Sequence, residues 1–180
     1  LIGYFILNDI LNTQGLSDVG QILDSLHSGV TKTLRQDDNT QARDGMDIAL
    51  AKIDVQKMTV EYAGAHRPLL YYSQKEGLQQ IKGDRFPIGG GEYKIRKPFS
   101  SVLINVSKGD EIYLFSDGFT DQFGGADNRK FTISRLRNFI EAREHANMEE
   151  FNQKISADFE AWKGEMKQTD DVLMIGVRFT

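Results

Sequence analysis

Two short polar runs that contain aspartates are the strongest candidates for chemistry in this sequence. Ser116-Asp117-Gly118-Phe119-Thr120-Asp121 follows an apolar segment that reads as a buried strand, and Thr169-Asp170-Asp171 precedes another. Aspartates at the ends of buried strands lie at the rim of a sheet, where several carboxylates can converge on one cation. Hard divalent ions such as Mg²⁺ and Mn²⁺ prefer carboxylate and water oxygens. Each run alone is more typical of a turn, and composition and spacing do not decide between a turn and a metal site.

The composition of the chain excludes several classes of function. The 180 residues carry a formal net charge of -4 and include no cysteine. A mildly acidic chain offers no basic surface for nucleic acid or for an anionic membrane, and without cysteine there are no disulfides, thiolate metal sites or cysteine nucleophiles. No apolar run approaches the ~20 residues of a membrane-spanning helix. We therefore expect a cytoplasmic domain, in a parent protein that other segments could anchor to a membrane.

Helical and strand periodicities along the chain predict one α+β domain that spans residues 1–180. Apolar residues recur at helical spacing in residues 1–11, 18–35, 132–143 and 148–162. Strand patterns, with tight turns between consecutive strands, occupy residues 46–53, 58–63, 68–72, 78–81, 101–106, 111–116 and 172–179. Consecutive short strands of this kind predict an antiparallel sheet. Because the chain opens inside a helical pattern, we expect it to be the carboxy-terminal part of a longer domain.

Four motifs in this order resemble those of a known enzyme family. Residues 116–122, preceded by Gly109-Asp110, resemble the second metal motif of the type 2C (PPM) protein phosphatases, in their SpoIIE-like, sigma-regulator branch. Residues 169–172 resemble the terminal metal motif of that family, residues 63–70 its A-G-H-x-P-x-L signature, and residues 86–89 its P-x-G loop. Each motif is weak by itself, but the set is specific and spans nearly the whole chain.

The resemblance implies a fold, a cofactor and a set of site residues. The expected fold is two packed antiparallel β-sheets flanked by helices, an αββα sandwich that is incomplete at the N-terminus. The family uses a binuclear Mg²⁺ or Mn²⁺ site, where metal-activated water hydrolyses phosphoserine or phosphothreonine. By residue-to-residue carry-over, the resemblance makes Asp117 a metal ligand and Asp170 the first choice for the terminal ligand, with Asp171 beside it as the alternative. The expected supporting residues, in a second shell or a loop, are Gly118, Asp121 and His66.

One departure from the family pattern weakens the expected metal site. The bridging aspartate of the family lies in a D-x-x-G-H-G or D-G-x-G segment ahead of the helix with which this chain begins, and no residues here match it. Residues 44–47 imitate the motif, but they enter the first predicted strand and are interpreted as a turn. Without the bridging ligand, Asp117 and Asp170 lack the cation charge that offsets their repulsion. We therefore expect weak or absent metal binding and little or no activity from this chain alone.

Three functional hypotheses remain open on the sequence. The first is a serine/threonine phosphatase that acts in bacterial signalling on a small phosphorylated protein, such as an anti-sigma-factor antagonist. The two N-terminal helices are candidates for a homodimer interface in that phosphatase. The second is a catalytically silent module that binds the same partner. The third is a metal-dependent hydrolase of small phosphate esters. His27 and His145 share no ligand spacing with other residues and are predicted to lie on helix surfaces.

Overall fold

A computed structural model describes residues 2–34, 44–90 and 97–180 of the chain, which group into two compact units. Unit 1 comprises Leu1–Leu69 and Ile81–Val106, and unit 2 comprises Leu70–Gln80 and Ser107–Thr180. Residues 36–43, whose polar sequence without periodicity predicts a loop, lie outside the described residues, as does part of the loop-rich segment at 83–98. Within the described ranges, no helix has the length and apolar character required to cross a bilayer.

The described elements follow the predicted order of helices and strands, with additions in the second half of the chain. The helices are α1 Ile2–Asp9, which continues into a π-helical turn at Ile10–Gln14, α2 Val19–Thr33, α3 Asp117–Asp121, α4 Ile133–Glu141 and α5 Met148–Lys163. The strands are β1 Gly45–Met46, β2 Ile48–Asp54, β3 Thr59–Ala65, β4 Leu69–Ser73, β5 Gly77–Ile81, β6 Ile88–Gly89, β7 Val102–Asn105, β8 Glu111–Phe115, β9 Phe123–Gly124, β10 Arg129–Lys130 and β11 Met174–Arg178.

Unit 1 is built on helix α2 and the antiparallel sheet β2-β3-β7. The helix begins at its N-cap Asp18, whose side chain accepts a hydrogen bond of 2.8 Å from the backbone N–H of Gln21. Its apolar stripe is buried in one core cluster with Ala63 and Ala65 of β3. The strand predicted at residues 46–53 divides into β1 and β2 because these pair with different strands, β1 with β6 and β2 with β3.

Unit 2 contains the four-stranded sheet β11-β8-β4-β5, and its β8–β11 pairing determines where the candidate site lies. Strands β8 and β11 are antiparallel, with Glu111 opposite Arg178 at one end and Phe115 opposite Met174 at the other. The chain leaves β8 just after Phe115 and enters β11 just before Met174. The two aspartate-containing runs therefore emerge at the same end of the sheet.

Helices α4 and α5 supply the apolar side chains that bury one face of this sheet. Their stripes form a single core cluster with the strand residues Leu70, Tyr113 and Phe115; the helix members are Leu136, Ile140, Phe151, Ile155 and Phe159. Asn147 caps α5, since its side chain accepts a 2.8 Å hydrogen bond from the Glu150 N–H. This packing holds β8, and hence the start of α3, in a fixed position within unit 2.

The far end of the β8–β11 pair is held by a buried carboxylate. Glu111 is completely buried and accepts hydrogen bonds from Tyr113, from Arg143 and, at 2.6 Å, from Nε of Arg178. Burial would raise the pKa of Glu111, but these hydrogen bonds outweigh it and hold the pKa below its ordinary value. The prediction that His145 lies on a helix surface is wrong: it follows α4, only 8% exposed, with Nε2 3.4 Å from Glu111 Oε2, where burial lowers its pKa.

Candidate metal site

Asp117 is the first residue of a one-turn helix that begins where β8 ends. Ser116, at the N-cap position, has extended backbone angles, and its hydroxyl makes no capping bond to α3. The carboxylate of Asp117 accepts a hydrogen bond of 3.1 Å from the N–H of Gly118, and its carbonyl accepts one of 3.3 Å from the Thr120 hydroxyl. Asp117 is half-buried, so that its carboxylate is positioned by the local backbone and remains reachable from solvent.

Asp170 and Asp171 form an exposed turn immediately ahead of β11. Asp170 Oδ1 accepts a 2.7 Å hydrogen bond from the N–H of Asp171, and the carbonyl of Asp170 accepts one of 2.8 Å from Nε2 of Gln168. Both carboxylates keep oxygen lone pairs that can bind a cation, because a carboxylate offers about four acceptor positions.

Ser116 ties the two runs together through three hydrogen bonds. Its hydroxyl donates to the carbonyl of Asp171 at 2.8 Å and accepts from the N–H of Leu173 at 2.9 Å. Its backbone N–H donates to the carbonyl of Leu173 at 3.0 Å. The segment before β11 is therefore fastened to the residue that directly precedes Asp117.

Gly118 allows this close approach because it has no side chain. A Cβ atom added to Gly118 would lie 2.4 Å from the carbonyl oxygen of Asp171 and 3.2 Å from Cβ of Asp170. The first distance is far inside ordinary van der Waals contact and involves backbone, which cannot move aside cheaply. The structure thus brings Gly118, the residue that follows Asp117, against Asp170 and Asp171.

The donor chemistry of this edge fits a hard divalent cation. The adjacent groups are carboxylate and carbonyl oxygens, and Mg²⁺ is commonly bound through one or two protein carboxylates while it retains several waters. Among residues 2–34, 44–90 and 97–180, no group of three or more His, Asp or Glu side chains is arranged to hold a metal ion. The oxygen donors of this edge are therefore of the type that binds a hard divalent cation, with further ligands left to water.

Asp121 lies one helical turn beyond Asp117 and forms an ion pair with a lysine. Lys130 Nζ, on β10, is 2.9 Å from Asp121 Oδ2, and both side chains are about half exposed, 47% and 55% respectively. Residues four apart in a helix lie on the same face. Asp121 therefore contributes a carboxylate near the site and is already paired with Lys130.

His66 lies in unit 1, at the corner that follows β3. Its backbone has a φ of 58°, and its Nδ1 is 3.0 Å from Asp47 Oδ1, while Arg67 Nη2 is 2.6 Å from Asp47 Oδ2. Gly64 allows the chain to fold tightly here, because a Cβ at that position would lie 2.3 Å from the carbonyl of Arg67. The signature at residues 63–70 thus forms a compact corner, and Asp47, in the run that imitates the metal motif, is engaged by His66 and Arg67.

Sequence reasoning missed Ser116 as the residue that joins the two acidic runs. The available signal was a serine at the point where a buried strand gives way to an aspartate. That position is typical of an N-cap, but here the hydroxyl bonds across to residues 171 and 173. A partner 55 residues away is not visible in any local pattern.

Comparisons with known proteins agree on the family and the fold. The family model described as Stage II sporulation protein E (SpoIIE) matches residues 7–180. The SiaA-PP2C domain of Pseudomonas aeruginosa superimposes with a TM-score of 0.86 at 23% identity, covering 99% of this chain and 68% of that one. No curated protein sequence matches the chain.

Two further solved structures are relevant because they were studied with metals. The manganese-presoaked phosphatase domain of the cell fate determinant SpoIIE from Bacillus subtilis has a TM-score of 0.60 at 15% identity, covering 98% of this chain and 73% of that one. RsbX in complex with magnesium has a TM-score of 0.65 at 13% identity, covering 99% and 73%. At these identities the matches show the fold, and they confirm the predicted α+β class of the type 2C phosphatases.

Proposed function

This chain belongs to the SpoIIE family, and from that premise we propose that it forms part of a metal-dependent phosphatase domain. Its substrate is phosphoserine or phosphothreonine on a small regulatory protein, such as an anti-sigma-factor antagonist in the cytoplasm. The observation that carries the proposal is the close approach of Gly118, the residue after Asp117, to Asp170 and Asp171 at one end of the β8–β11 pair. Aspartates that emerge from two strand ends at the same edge suit a cation that faces a phosphoryl group.

Each residue of this edge has a distinct task in the proposed reaction. Asp117 and Asp170 would hold the cation, which would activate a water molecule and polarise the phosphoryl oxygens. Ser116 keeps the two carboxylate-bearing segments together through its bonds to Asp171 and Leu173. Gly118 leaves room for the Asp171 carbonyl. No side chain of this edge is proposed as a nucleophile, so no phosphoenzyme forms.

The chain alone is proposed to be a weak enzyme. Its 180 residues contain no match to the bridging aspartate segment of the family, and two neighbouring carboxylates without sufficient cation charge repel each other. The same fact favours a second candidate, a silent module that binds the partner without hydrolysis.

In either case, exposed apolar side chains on α1, among them Tyr4 and Phe5 at 65% and 66% exposure, support a homodimer through the N-terminal helices, which sedimentation analysis would test.

A phosphate-release assay tests this proposal. We expect the 180-residue chain to hydrolyse a phosphoserine protein slowly with Mn²⁺, below about one turnover per minute, and to lose that activity after chelation. Extension by a D-x-x-G-H-G segment taken from a relative should raise the rate because it restores the bridging ligand. A parallel measurement with p-nitrophenyl phosphate separates a protein phosphatase from a hydrolase of small esters.

The outcomes of that assay differ for each candidate. Multiple turnovers per minute by the unextended chain would contradict the proposed weakness. No hydrolysis by the extended protein, together with retained partner binding, would replace the enzyme by the silent module. Faster hydrolysis of the small ester than of the phosphoprotein would contradict the proposed substrate class.

A further inference from the structure

The hairpin β9–β10 is a rigid element that sits directly on the helix of Asp117. The N–H groups of Phe131 and Thr132 donate to the carbonyls of Gln122 and Thr120, each at 2.8 Å. The Phe131 side chain is buried, with its ring centroid 5.1 Å from that of Phe119 in α3. The segment that directly follows β10 is therefore fixed to α3 and to the residue after it, through the backbone of residues 131 and 132 and the Phe131 side chain.

The other strand of the hairpin is fixed to helix α5. The N–H of Gly125 donates to the carbonyl of Trp162 at 2.8 Å. A Cβ added to Gly124 would lie 1.9 Å from the same carbonyl oxygen, so only glycine fits against the helix there. With both strands fastened, the side chains that the hairpin exposes keep a set position relative to Asp117.

One face of this hairpin presents an aromatic ring next to a cation. Lys130 is directly opposite Phe123 in the antiparallel register, so their side chains share a face with Cβ atoms about 5 Å apart. Phe123 is 40% exposed, and the Lys130 ammonium is 2.9 Å from the carboxylate of Asp121. Because Asp121 and Asp117 are one helical turn apart, with Cβ atoms about 6 Å apart, this pair borders the proposed metal edge.

The aspartates around the edge make a positively charged side chain such as Lys130 favourable there. Asp117, Asp121, Asp170 and Asp171 are all acidic, whereas a phosphorylated substrate is itself an anion. An ammonium has three donors, so Lys130 can keep its bond to Asp121 and still bind a second carboxylate. Phe123 offers an apolar surface on which the peptide chain can rest.

From this geometry we infer that Lys130 and Phe123 form a substrate subsite, in which Lys130 selects an acidic side chain close in sequence to the phosphorylated residue. The inference rests on the proposed function and names a substrate preference at the same site. Lys130 is a specificity residue here, because it binds the substrate chain and takes no part in the phosphoryl transfer.

The test compares two fluorescent phosphoserine peptides that differ only in carrying Asp or Asn on either side of the phosphoserine. Binding is followed by fluorescence anisotropy with Mn²⁺, and phosphate release is measured in parallel. We expect the wild-type chain to bind the Asp peptide about fourfold more tightly, the range of an exposed ion pair. Lys130→Met, which keeps the apolar stem but removes the charge, should reduce that preference to about one.

The matched control is Lys57→Met, since Lys57 is also an exposed lysine paired with an aspartate, 3.4 Å from Asp54 Oδ2, but lies in unit 1. It should keep the preference for the Asp peptide. An unchanged affinity of Lys130→Met for the Asn peptide shows that the variant is folded.

Every outcome of this comparison decides the inference. A preference retained in Lys130→Met, a wild-type chain without preference, or no binding of either peptide would overturn the subsite. If both peptides are hydrolysed without preference, the subsite fails and the phosphatase stands. If the Lys130-dependent preference appears but neither peptide is hydrolysed, even by the extended protein, the subsite stands and the phosphatase fails.

Discussion

Asp117→Asn is expected to reduce Mn²⁺-dependent hydrolysis of a phosphoserine protein by more than about a hundredfold. The size follows from the role of Asp117 as a direct ligand, since even residues that only support a metal ligand typically cost 10- to 100-fold when changed. The measurement is phosphate release by the protein extended with a D-x-x-G-H-G segment, in which the full site is present. The amide keeps the shape of the side chain and should leave the fold intact, because the Gly118 N–H can still donate a hydrogen bond to the amide oxygen.

The control for this variant is Asp127→Asn, which makes the same change on the exposed tip of the β9–β10 hairpin. Asp127 is 72% exposed and makes a weak ion pair of 3.6 Å with Arg129. Loss of the Asp127 charge should therefore leave the rate within a factor of about two. Activity of Asp117→Asn equal to that of the control would remove Asp117 from the site.

Glu111→Gln is expected to lower the free energy of unfolding by about 3 kcal/mol, the lower end of the range for breaking a buried ion pair. The carboxylate is fully buried between Arg143 and Arg178, and an amide leaves both guanidinium groups without a countercharge. Because Glu111 and Arg178 close one end of the β8–β11 pair, the loss should also loosen the strands that position Asp117 and Asp171. Urea unfolding followed by circular dichroism measures the change.

The pH dependence of this effect follows from the lowered pKa of Glu111. A carboxyl whose pKa is depressed in the folded state stabilises the protein when the pH is above the ordinary pKa of that carboxyl, 4.5. The stabilisation is lost as the pH falls below that value. The difference between wild type and Glu111→Gln should therefore be full at pH 7 and shrink in acid. Glu141→Gln is the control, since Glu141 makes only an exposed 3.8 Å pair with Arg137, worth about 0.5 kcal/mol. Equal stability of the two variants would contradict the role of Glu111.

The sequence predicted the strands and helices whose periodicity is long enough to read. Strand β8 is one example, since apolar residues on both of its faces predicted the burial that Ile112, Tyr113 and Phe115 show. The position of each acidic run at the end of a strand followed from the strands assigned next to the two runs. The β8–β11 register, which brings both acidic runs to one end of the sheet, comes from pairing between segments about 60 residues apart, which no local pattern records.

The elements that the sequence did not predict are short or depend on distant partners. Helix α3 has five residues and strands β9 and β10 have two each, too few for any periodicity to appear. The burial of Glu111 could not be anticipated because its partners Arg143 and Arg178 are 32 and 67 residues away. His145 was misjudged for the same reason: its packing against Phe151, at a centroid distance of 4.9 Å, depends on how α5 docks.

The most direct test of the central claim, that Asp117 and Asp170 share a cation, is a Mn²⁺ titration of the protein extended with a D-x-x-G-H-G segment, followed by electron paramagnetic resonance. The signal of free Mn²⁺ reports binding whether or not the protein is active. We expect Asp117→Asn and Asp170→Asn each to weaken Mn²⁺ binding by more than about tenfold, and Asp171→Asn to change it much less. Wild-type affinity in Asp117→Asn, or a loss confined to Asp171→Asn, would contradict the shared site.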